Sequence, residues 1–218
     1  LKDTARVLSR YCDVLAIRTF KQDVLEQYSK WSSKPVINAL TDLEHPCQVL
    51  ADFLTIKEEL GSFENKVLTY IGDGNNVANS LILCGAKLGV EIRIACPKGF
   101  EPEPSIVEFS KTNIVKDKLL ITNDINCAVK GADILYTDVW SSMGQESNMQ
   151  EKDKYFEDFQ INKMILNMAN TNAIVLHCLP AYRGKEITEE VMDCSQSRIF
   201  NQAENRLHAQ QALLSCML

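Results

Sequence analysis

Several features that would mark a membrane, nucleic-acid-binding or disulfide-rich protein are missing from this 218-residue sequence. No apolar stretch approaches the roughly 18 residues that a membrane-spanning helix needs. The formal net charge is -6 and no run of Lys or Arg reaches five residues, which disfavours a nucleic-acid or membrane partner. The eight cysteines are scattered, with no C-x-x-C pair. This usage indicates free thiols in a reducing compartment rather than disulfides or a zinc site.

The sequence also lacks an initiator Met and a recognisable signal segment, because residues 1–8 already have the pattern of a helix. We therefore expect the chain to begin inside a domain, and any targeting sequence upstream is left open. Its composition, 45% hydrophobic and 24% charged, is that of an ordinary globular protein with ample core for one large or two small domains.

Helices and strands alternate in the first quarter of the chain. The patterns predict helices over 3–11 and 23–31, the second with Asp23 as its N-cap, and strands over 13–19 and 34–40. The first strand delivers Arg18 to its carboxyl end. This order implies a parallel sheet, of which two strands are only a part.

A third helix is expected to start at Pro46 and to end at Gly61. His45 and Gln48 then lie one turn apart at the helix N-terminus, where free N–H groups and the helix dipole favour negative charge. A capping His and a surface Gln is the simpler local interpretation.

A larger parallel sheet follows, with strands predicted over 66–71, 91–96, 118–122 and 132–137 and a helix over 77–88. The turn G-D-G-N-N at 72–76 has only the first two glycines of the dinucleotide fingerprint, and Val77 occupies the third position. The next strand ends in C-P-K, without the acidic residue that would hold a ribose. Nicotinamide binding is therefore disfavoured.

Two further strand ends carry polar groups. The turn at 138–144 begins with Asp138 and suits the binding of an amine. The charge-rich segment 145–163 is expected to be a mobile lid over a site, an exposed helix with a solvated face, or both. At 173–180, A-I-V-L-H-C-L-P, a buried strand is stopped by Pro180. His177 and Cys178 thus stand where open parallel sheets bind ligands, unless the His only satisfies local backbone groups and the Cys is core.

The chain is expected to finish with a short strand at 198–200 and a helix from 202. Arg206 in the first turn of that helix opposes the dipole, which suggests anion binding unless the side chain is simply exposed. The polar groups collected at strand ends and nearby helix ends predict a cleft between two α/β units, suited to an anion beside an amine. These groups are Arg18, His45, Gln48, Asn76, Asp138, Ser142, His177, Cys178 and Arg206.

Three ungapped motifs resemble the transcarbamylases, specifically the ornithine carbamoyltransferases: H-P-C-Q at 45–48, D-V-W-S-S-M-G at 138–144 and H-C-L-P at 177–180. G-D-G-N-N at 72–76 and A-E-N-R at 203–206 support the resemblance, which covers the whole chain in order. It implies an α/β fold with two doubly wound parallel-sheet domains, the first incomplete, joined by interdomain helices. The expected divisions are 1–58 for half of the carbamoyl phosphate domain with its linking helix, 59–201 for the ornithine domain, and 202–218 for a returning C-terminal helix.

The resemblance also implies the reaction: transfer of the carbamoyl group from carbamoyl phosphate to the δ-amine of L-ornithine, giving L-citrulline and phosphate. No metal or organic cofactor is implied, and Cys178 is not expected to be a covalent nucleophile. The implied roles are as follows. Carbamoyl phosphate is held, and its carbonyl polarised, by Arg18, His45, Gln48 and Arg206. The Leu179 carbonyl accepts a hydrogen bond from the carbamoyl NH2. Ornithine is held by Asn76, Asp138, Ser142 and Met143, and its δ-nitrogen lies beside Asp138 and Cys178.

One departure from the family pattern matters. The phosphate-binding S-T-R-T segment of the family is absent from these 218 residues, as is the loop that a neighbouring subunit contributes to the site. We therefore expect this chain alone to be inactive or nearly so. The resemblance further suggests a homotrimer or higher homo-oligomer in the longer form, and a cytoplasmic location, or the mitochondrial matrix if an upstream transit peptide exists.

Three alternatives stay open at this point. The acceptor amine could be putrescine or another amine, although the S-M-G sequence favours ornithine. A dinucleotide-binding oxidoreductase is disfavoured by the broken fingerprint. A non-catalytic remnant that binds only the amino acid is the third alternative.

Overall fold

A computed structural model describes residues 1–113, 118–141 and 149–218. The first part contains α1 (Lys2–Leu8), β1 (Leu15–Arg18), α2 (Gln22–Trp31), β2 (Val36–Leu40) and α3 (Pro46–Leu60). The second part contains β3 (Val67–Ile71), α4 (Asn76–Leu88), β4 (Glu91–Ala95), α5 (Pro104–Asn113), β5 (Leu119–Thr122), α6 (Ile125–Val129), β6 (Ile134–Thr137), α7 (Met149–Phe156), α8 (Lys163–Met168), β7 (Ile174–His177), α9 (Glu189–Met192) and α10 (Ile199–Met217).

The strands form two parallel sheets. β1 pairs with β2, and the larger sheet has the order β5-β4-β3-β6-β7. In that sheet the chain starts at β3, moves out through β4 and β5, and then crosses to β6 on the other side. The point where the order reverses, between β3 and β6, is where open α/β sheets bind ligands, just beyond the carboxyl ends of the strands. The α/β fold with two parallel sheets is as predicted.

Strands β3, β6 and β7 of the larger sheet are buried on both faces, which explains their nearly continuous apolar sequences. Because side chains alternate between the faces, neighbouring positions enter different cores. Tyr70 and Ile134 belong to the core on the side of α3 and α4, whereas Ile71 and Leu135 belong to the core that includes Phe156 of α7. Both cores are closed by helices whose apolar stripes match these faces.

Helices α3 and α10 pack against each other and connect the two parts of the molecule. Their interface is polar as well as apolar: Asn205 donates to Thr55 Oγ1 (2.9 Å) and to Glu58 Oε2 (2.6 Å). At the start of α10, Arg198 forms an ion pair with Glu59. The interdomain helices of the predicted fold are thus present, while the exact division at 58 and 201 stays a prediction.

The ends of several helices follow from local chemistry. α3 starts at Pro46 and ends at Gly61, whose φ of 72° lies in the left-handed region, as predicted. The N-cap of α2 was wrongly predicted: the capping residue is Lys21, and Asp23 lies inside the first turn. The N–H of Gln22, in the first turn of α2, donates to the carboxylate of Asp42 (3.0 Å), so the side chain of a residue distant in sequence takes the place of the local cap.

The short strand predicted at 198–200 is wrong. Ser197 forms a single parallel bridge with Val175, and the Arg198 N–H donates to the Val175 carbonyl (2.9 Å). The chain then turns directly into α10, where Ile199 is buried. Arg206 consequently lies about two turns inside the helix, so the argument that it opposes the dipole at the helix N-terminus no longer applies.

The charge-rich segment after β6 lies partly outside the described residues. Its described part forms α7, which buries Phe156 against Phe100 and Trp140 and pairs Lys152 with Asp73 (2.6 Å). The prediction of an exposed helix is therefore only half right, because one face of α7 belongs to the core. No helix among the described residues is long and apolar enough to cross a membrane.

The close packing of α4 on β4 can be tested at Gly85. In an exposed helix, Gly→Ala stabilises by up to about 1 kcal/mol. A Cβ at Gly85 would instead lie 2.6 Å from Cγ1 of Ile92 and closer still to its Cδ1. We expect Gly85→Ala to lower the free energy of unfolding by roughly 1–3 kcal/mol in urea denaturation. Adding Ile92→Val, which removes Cδ1, should recover part of that loss; strictly additive effects would contradict this packing.

Candidate active site

Asp138 lies at the switch point of the large sheet, directly after β6, and three donors surround its carboxylate. Asn75 Nδ2 donates to Oδ2 (2.8 Å), while Cys178 Sγ (2.9 Å) and the Val139 N–H (2.7 Å) donate to Oδ1. These donors come from the turn after β3, from the turn after β7 and from Asp138's own turn. Three loops are therefore fixed to one carboxylate, and Asp138 and Cys178 are adjacent, as the sequence predicted.

Asn75 was not among the predicted site residues. Its Oδ1 caps α4 by accepting from the N–H groups of Val77 (2.9 Å) and Ala78 (3.2 Å), and its Nδ2 holds Asp138. Asn76, which the sequence analysis selected, donates instead to the Thr41 carbonyl (2.6 Å) just after β2. The first Asn of G-D-G-N-N thus connects the N-terminus of α4 to Asp138, and the second connects α4 to the first sheet.

Burial, followed by the charge of Asp138, raises the pKa of the Cys178 thiol well above its ordinary value. Cys178 is therefore a thiol at neutral pH and a hydrogen-bond donor to Asp138. A thiolate nucleophile needs the opposite environment, one that lowers the pKa. That Cys178 is not a covalent nucleophile stays a prediction.

His177 does not offer a group to the cleft, contrary to its place among the predicted cleft residues. It is 1% exposed; its Nδ1 accepts from the Leu179 N–H (2.8 Å) and its Nε2 lies 3.1 Å from Glu186 Oε1. The Leu179 contact fixes the tautomer, so Nε2 carries the proton and donates to Glu186. This pair holds Leu179 at a φ of 57°, rare for a side chain of this kind. The simpler interpretation of His177, satisfying local backbone groups, is correct.

The residues predicted to bind an anion, here called the anion side of the site, are Arg18, His45, Gln48 and Arg206. The N–H of His45 donates to Ser80 Oγ (2.7 Å), which fixes the start of α3 against α4. The ring is buried, and Nδ1 has no partner among the described residues. Burial first, then the charges of Arg206 and Arg18, lower the pKa of His45 to about 4. The ring is therefore neutral at pH 7, and two guanidinium groups from β1 and α10 act on the same place.

Gln48, one turn after His45 on α3, has a side-chain hydrogen-bond acceptor. Its Nε2 donates to Asp52 Oδ1 (2.9 Å), and its Oε1 is buried without a partner among the described residues. The resemblance implied that Gln48 helps to hold carbamoyl phosphate and to polarise its carbonyl, and polarising a carbonyl requires a hydrogen-bond donor. In the observed orientation the side chain suits an N–H group instead.

A cavity of about 770 Å³ opens between α10 and the turn after β7. Its lining includes three predicted site residues, Cys178, Leu179 and Arg206. The charge of Arg206 also acts on His45, as does that of Arg18, so the cavity and the surroundings of His45 share the Arg206 guanidinium group. Gln48 lies one turn after His45 on α3. Ser142 and Met143, both predicted to hold ornithine, lie outside the described residues.

One group of side chains among the described residues could offer metal ligands. The ligand atoms of Asp138, His177 and Cys178 lie within 4.8 Å of one another. A metal ion would have to replace the Leu179 N–H on His177 Nδ1 and the Cys178 proton on Asp138. The predicted absence of a metal or cofactor is left as a prediction.

Two family models match the chain. The carbamoyl-P binding domain of aspartate/ornithine carbamoyltransferase matches residues 1–58, and the Asp/Orn binding domain matches residues 64–217. The class is therefore that of the aspartate/ornithine carbamoyltransferases, and both of the matched domains are present in this order along the chain.

Individual relatives narrow this class. The chain is 64% identical to the ornithine carbamoyltransferase of Prochlorococcus marinus subsp. pastoris, over 100% of the chain and 71% of that protein. The solved ornithine carbamoyltransferases of Gloeobacter violaceus (52% identity, TM-score 0.91) and Pyrococcus furiosus (45%, 0.94) share its fold. The chain covers 73% and 69% of those chains, which in turn cover 99% and 98% of it. The protein belongs to the aspartate/ornithine carbamoyltransferase family.

The electrostatics of the anion side can be tested by titrating His45. Removing a nearby cation removes a penalty on the imidazolium, so Arg206→Met should raise the His45 pKa from about 4 towards 6.5, and Arg18→Met should raise it less. NMR of the His45 Cε1–H resonance across pH 3–8 measures this directly.

Arg183→Met is the matched control, because the Arg183 guanidinium is paired with Asp193 instead. An ordinary pKa near 6.5 for His45 in the unmodified protein, or no change in Arg206→Met, would contradict the described cluster.

Proposed function

We propose that the protein transfers the carbamoyl group from carbamoyl phosphate to the δ-amine of L-ornithine, yielding L-citrulline and phosphate. The observation that carries this proposal is the pairing of two unlike half-sites. A donor-rich anion side lies around His45, and a carboxylate–thiol pair lies at Asp138 and Cys178. Family membership and the names of the relatives support the same reaction.

On the anion side, we assign Arg18, Arg206 and His45 to the phosphate and the carbonyl oxygen of carbamoyl phosphate. Negative charge grows on that oxygen as the amine attacks, and fixed donors lower the barrier because they need no reorganisation. His45 is neutral, so its ring can donate one proton in a hydrogen bond without carrying a charge that the two guanidinium groups would oppose. The Leu179 carbonyl and Gln48 Oε1 are acceptors suited to the carbamoyl NH2.

The amine side of the site is the pair Asp138 and Cys178, and we assign both residues to orienting the δ-nitrogen of ornithine. The nitrogen lone pair forms the new C–N bond as the π electrons of the C=O bond move onto the oxygen. When these electrons re-form the C=O bond, the C–O bond to phosphate breaks, and phosphate leaves with the electron pair of that bond. The amine must be neutral to attack and must then lose a proton, and Asp138 is the carboxylate that the site offers for this step. Asn76, Ser142 and Met143 remain proposed contacts of ornithine.

Four further attributes are part of this proposal. The 218 residues contain no S-T-R-T sequence, so the charge-assisted bonds that such a segment would add to the leaving phosphate are missing. We therefore expect this chain by itself to turn over slowly or not at all. The resemblance also predicts a homotrimer or higher homo-oligomer in the longer form, a location in the cytoplasm or the mitochondrial matrix, and a role in arginine metabolism.

The test is citrulline formation from carbamoyl phosphate, with ornithine and putrescine as parallel acceptors. The 218-residue chain is compared with the same chain extended upstream by the N-terminal part of a relative. We expect activity only in the extended form, with ornithine preferred, and a loss of at least about 100-fold in kcat/KM for Asp138→Asn.

Arg183→Met serves as the control variant and should keep full activity, because its partner Asp193 lies outside the proposed site. Enzymatic turnover by the 218 residues alone would show that the phosphate is held differently. A preference for putrescine would overturn the assigned acceptor, and activity in neither form would favour the amino-acid-binding remnant.

A further inference from the structure

We propose that Asp52 is a positioning residue: its buried carboxylate fixes the side-chain amide of Gln48 so that Oε1 faces the carbamoyl NH2, and it connects this contact to the turn after β7. The proposal rests on the function proposed above. It adds a residue that touches no substrate and that the sequence motifs did not indicate.

Asp52 lies one turn after Gln48 on α3, so both side chains occupy the same face of the helix. It is 0% exposed, and three neutral donors from three elements surround it. Gln48 Nε2 (2.9 Å) and Gln202 Nε2 (2.6 Å) donate to Oδ1, and the Tyr136 hydroxyl (3.0 Å) donates to Oδ2. These donors come from α3, α10 and β6.

An ionised carboxylate can only accept hydrogen bonds. Gln48 must therefore turn its NH2 towards Asp52, and its Oε1 must point the other way. Gln48 is 1% exposed, and its Oε1 has no hydrogen-bond partner among the described residues. A fixed acceptor at this place recognises an N–H group and rejects a carbonyl or phosphate oxygen.

Asp52 orients the side-chain amide of Gln202 in the same way. Its Nε2 is held by Asp52, so its Oε1 is directed to the backbone of β7, where it accepts from the His177 N–H (2.8 Å). His177 in turn holds the Leu179 N–H. One carboxylate thus orders both acceptors assigned to the carbamoyl NH2, Gln48 Oε1 and the Leu179 carbonyl.

The titration of Asp52 gives this arrangement a measurable signature. Burial raises the pKa of Asp52 to about 7, although its three hydrogen bonds and the charge of Arg206 on α10 act in the other direction. The other titratable groups that face it are Tyr136 on β6, Cys84 on α4 and Cys178 after β7, and burial raises the pKa of each of them further from neutrality. A protonated Asp52 carries a donor of its own, so its hold on the two amides weakens as the pH falls through about 7.

The first experiment measures ligand binding by calorimetry at pH 8, on this chain and on its extended form. Asp52→Leu removes the acceptor and keeps an apolar filling, so it should weaken carbamoyl phosphate binding by roughly tenfold and inorganic phosphate binding by less than about twofold. Asp52→Asn, whose Oδ1 can still accept from both amides, should lie between Asp52→Leu and the unmodified protein.

Thr55→Val is the matched control. Thr55 is buried on the same helix, one turn further on, and accepts from Asn205 at the α3–α10 interface without touching Gln48. This variant should leave both affinities unchanged. Equal losses for carbamoyl phosphate and phosphate in Asp52→Leu, or the same losses in Thr55→Val, would reduce Asp52 to a structural role and overturn the proposal.

The second experiment does not depend on any ligand. The side-chain NH2 signals of Gln48 and Gln202, followed by ¹⁵N NMR between pH 5.5 and 8.5, should shift together with one midpoint near 7, and Asp52→Asn should abolish the shift. Separate midpoints, or a shift that persists in Asp52→Asn, would overturn the proposal. If the unmodified protein binds no carbamoyl phosphate but the two amides titrate together, the proposed function fails and the positioning by Asp52 stands.

Discussion

The structure depends on one constraint: a buried carboxylate must be surrounded by hydrogen-bond donors, since an isolated buried charge is very costly. Asp52 meets this constraint with donors from α3, β6 and α10. The three elements come from distant parts of the sequence and must meet at one point for the carboxylate to be satisfied. The packing of the interdomain helices is therefore specific as well as favourable.

Asp138 applies the same chemistry at the edge of the cleft. Asn75 and Cys178 donate to it, and these donors fix the turns after β3 and β7 around the end of β6. The two carboxylates differ in surroundings: Asp52 is 0% exposed, whereas Asp138 is 7% exposed and stands at the switch point of the sheet, where open α/β sheets bind ligands. In the proposed function, Asp52 orders the site and Asp138 acts on the substrate.

Much of the fold follows from short-range patterns in the sequence. Apolar runs separated by turn residues predict the strands of the larger sheet, and Pro46 with Gly61 marks α3 correctly because both act through their own backbone. The proximity of Asp138 and Cys178 follows from parallel strands ending at the same edge. Failures occur where a distant partner decides the outcome: Asp42 replaces the predicted Asp23 cap, and the bridge at Ser197 leads directly into α10.

Short-range sequence patterns did not predict the polar network of the site. Asp52 and Gln202 sit inside helices, where a polar residue normally indicates a solvated face, and their contact spans 150 positions of sequence. The two asparagines of G-D-G-N-N differ only in which way each side chain turns, and no spacing rule distinguishes Asn75 from Asn76. The central claim, that an anion side and an amine side share one cleft, is tested most directly with a ligand that joins a phosphonoacetyl group to the δ-nitrogen of L-ornithine. Calorimetry should show it binding at least about 100-fold more tightly than carbamoyl phosphate or ornithine alone, because linking makes the second contact intramolecular; binding no tighter than the better of the two would contradict a shared cleft.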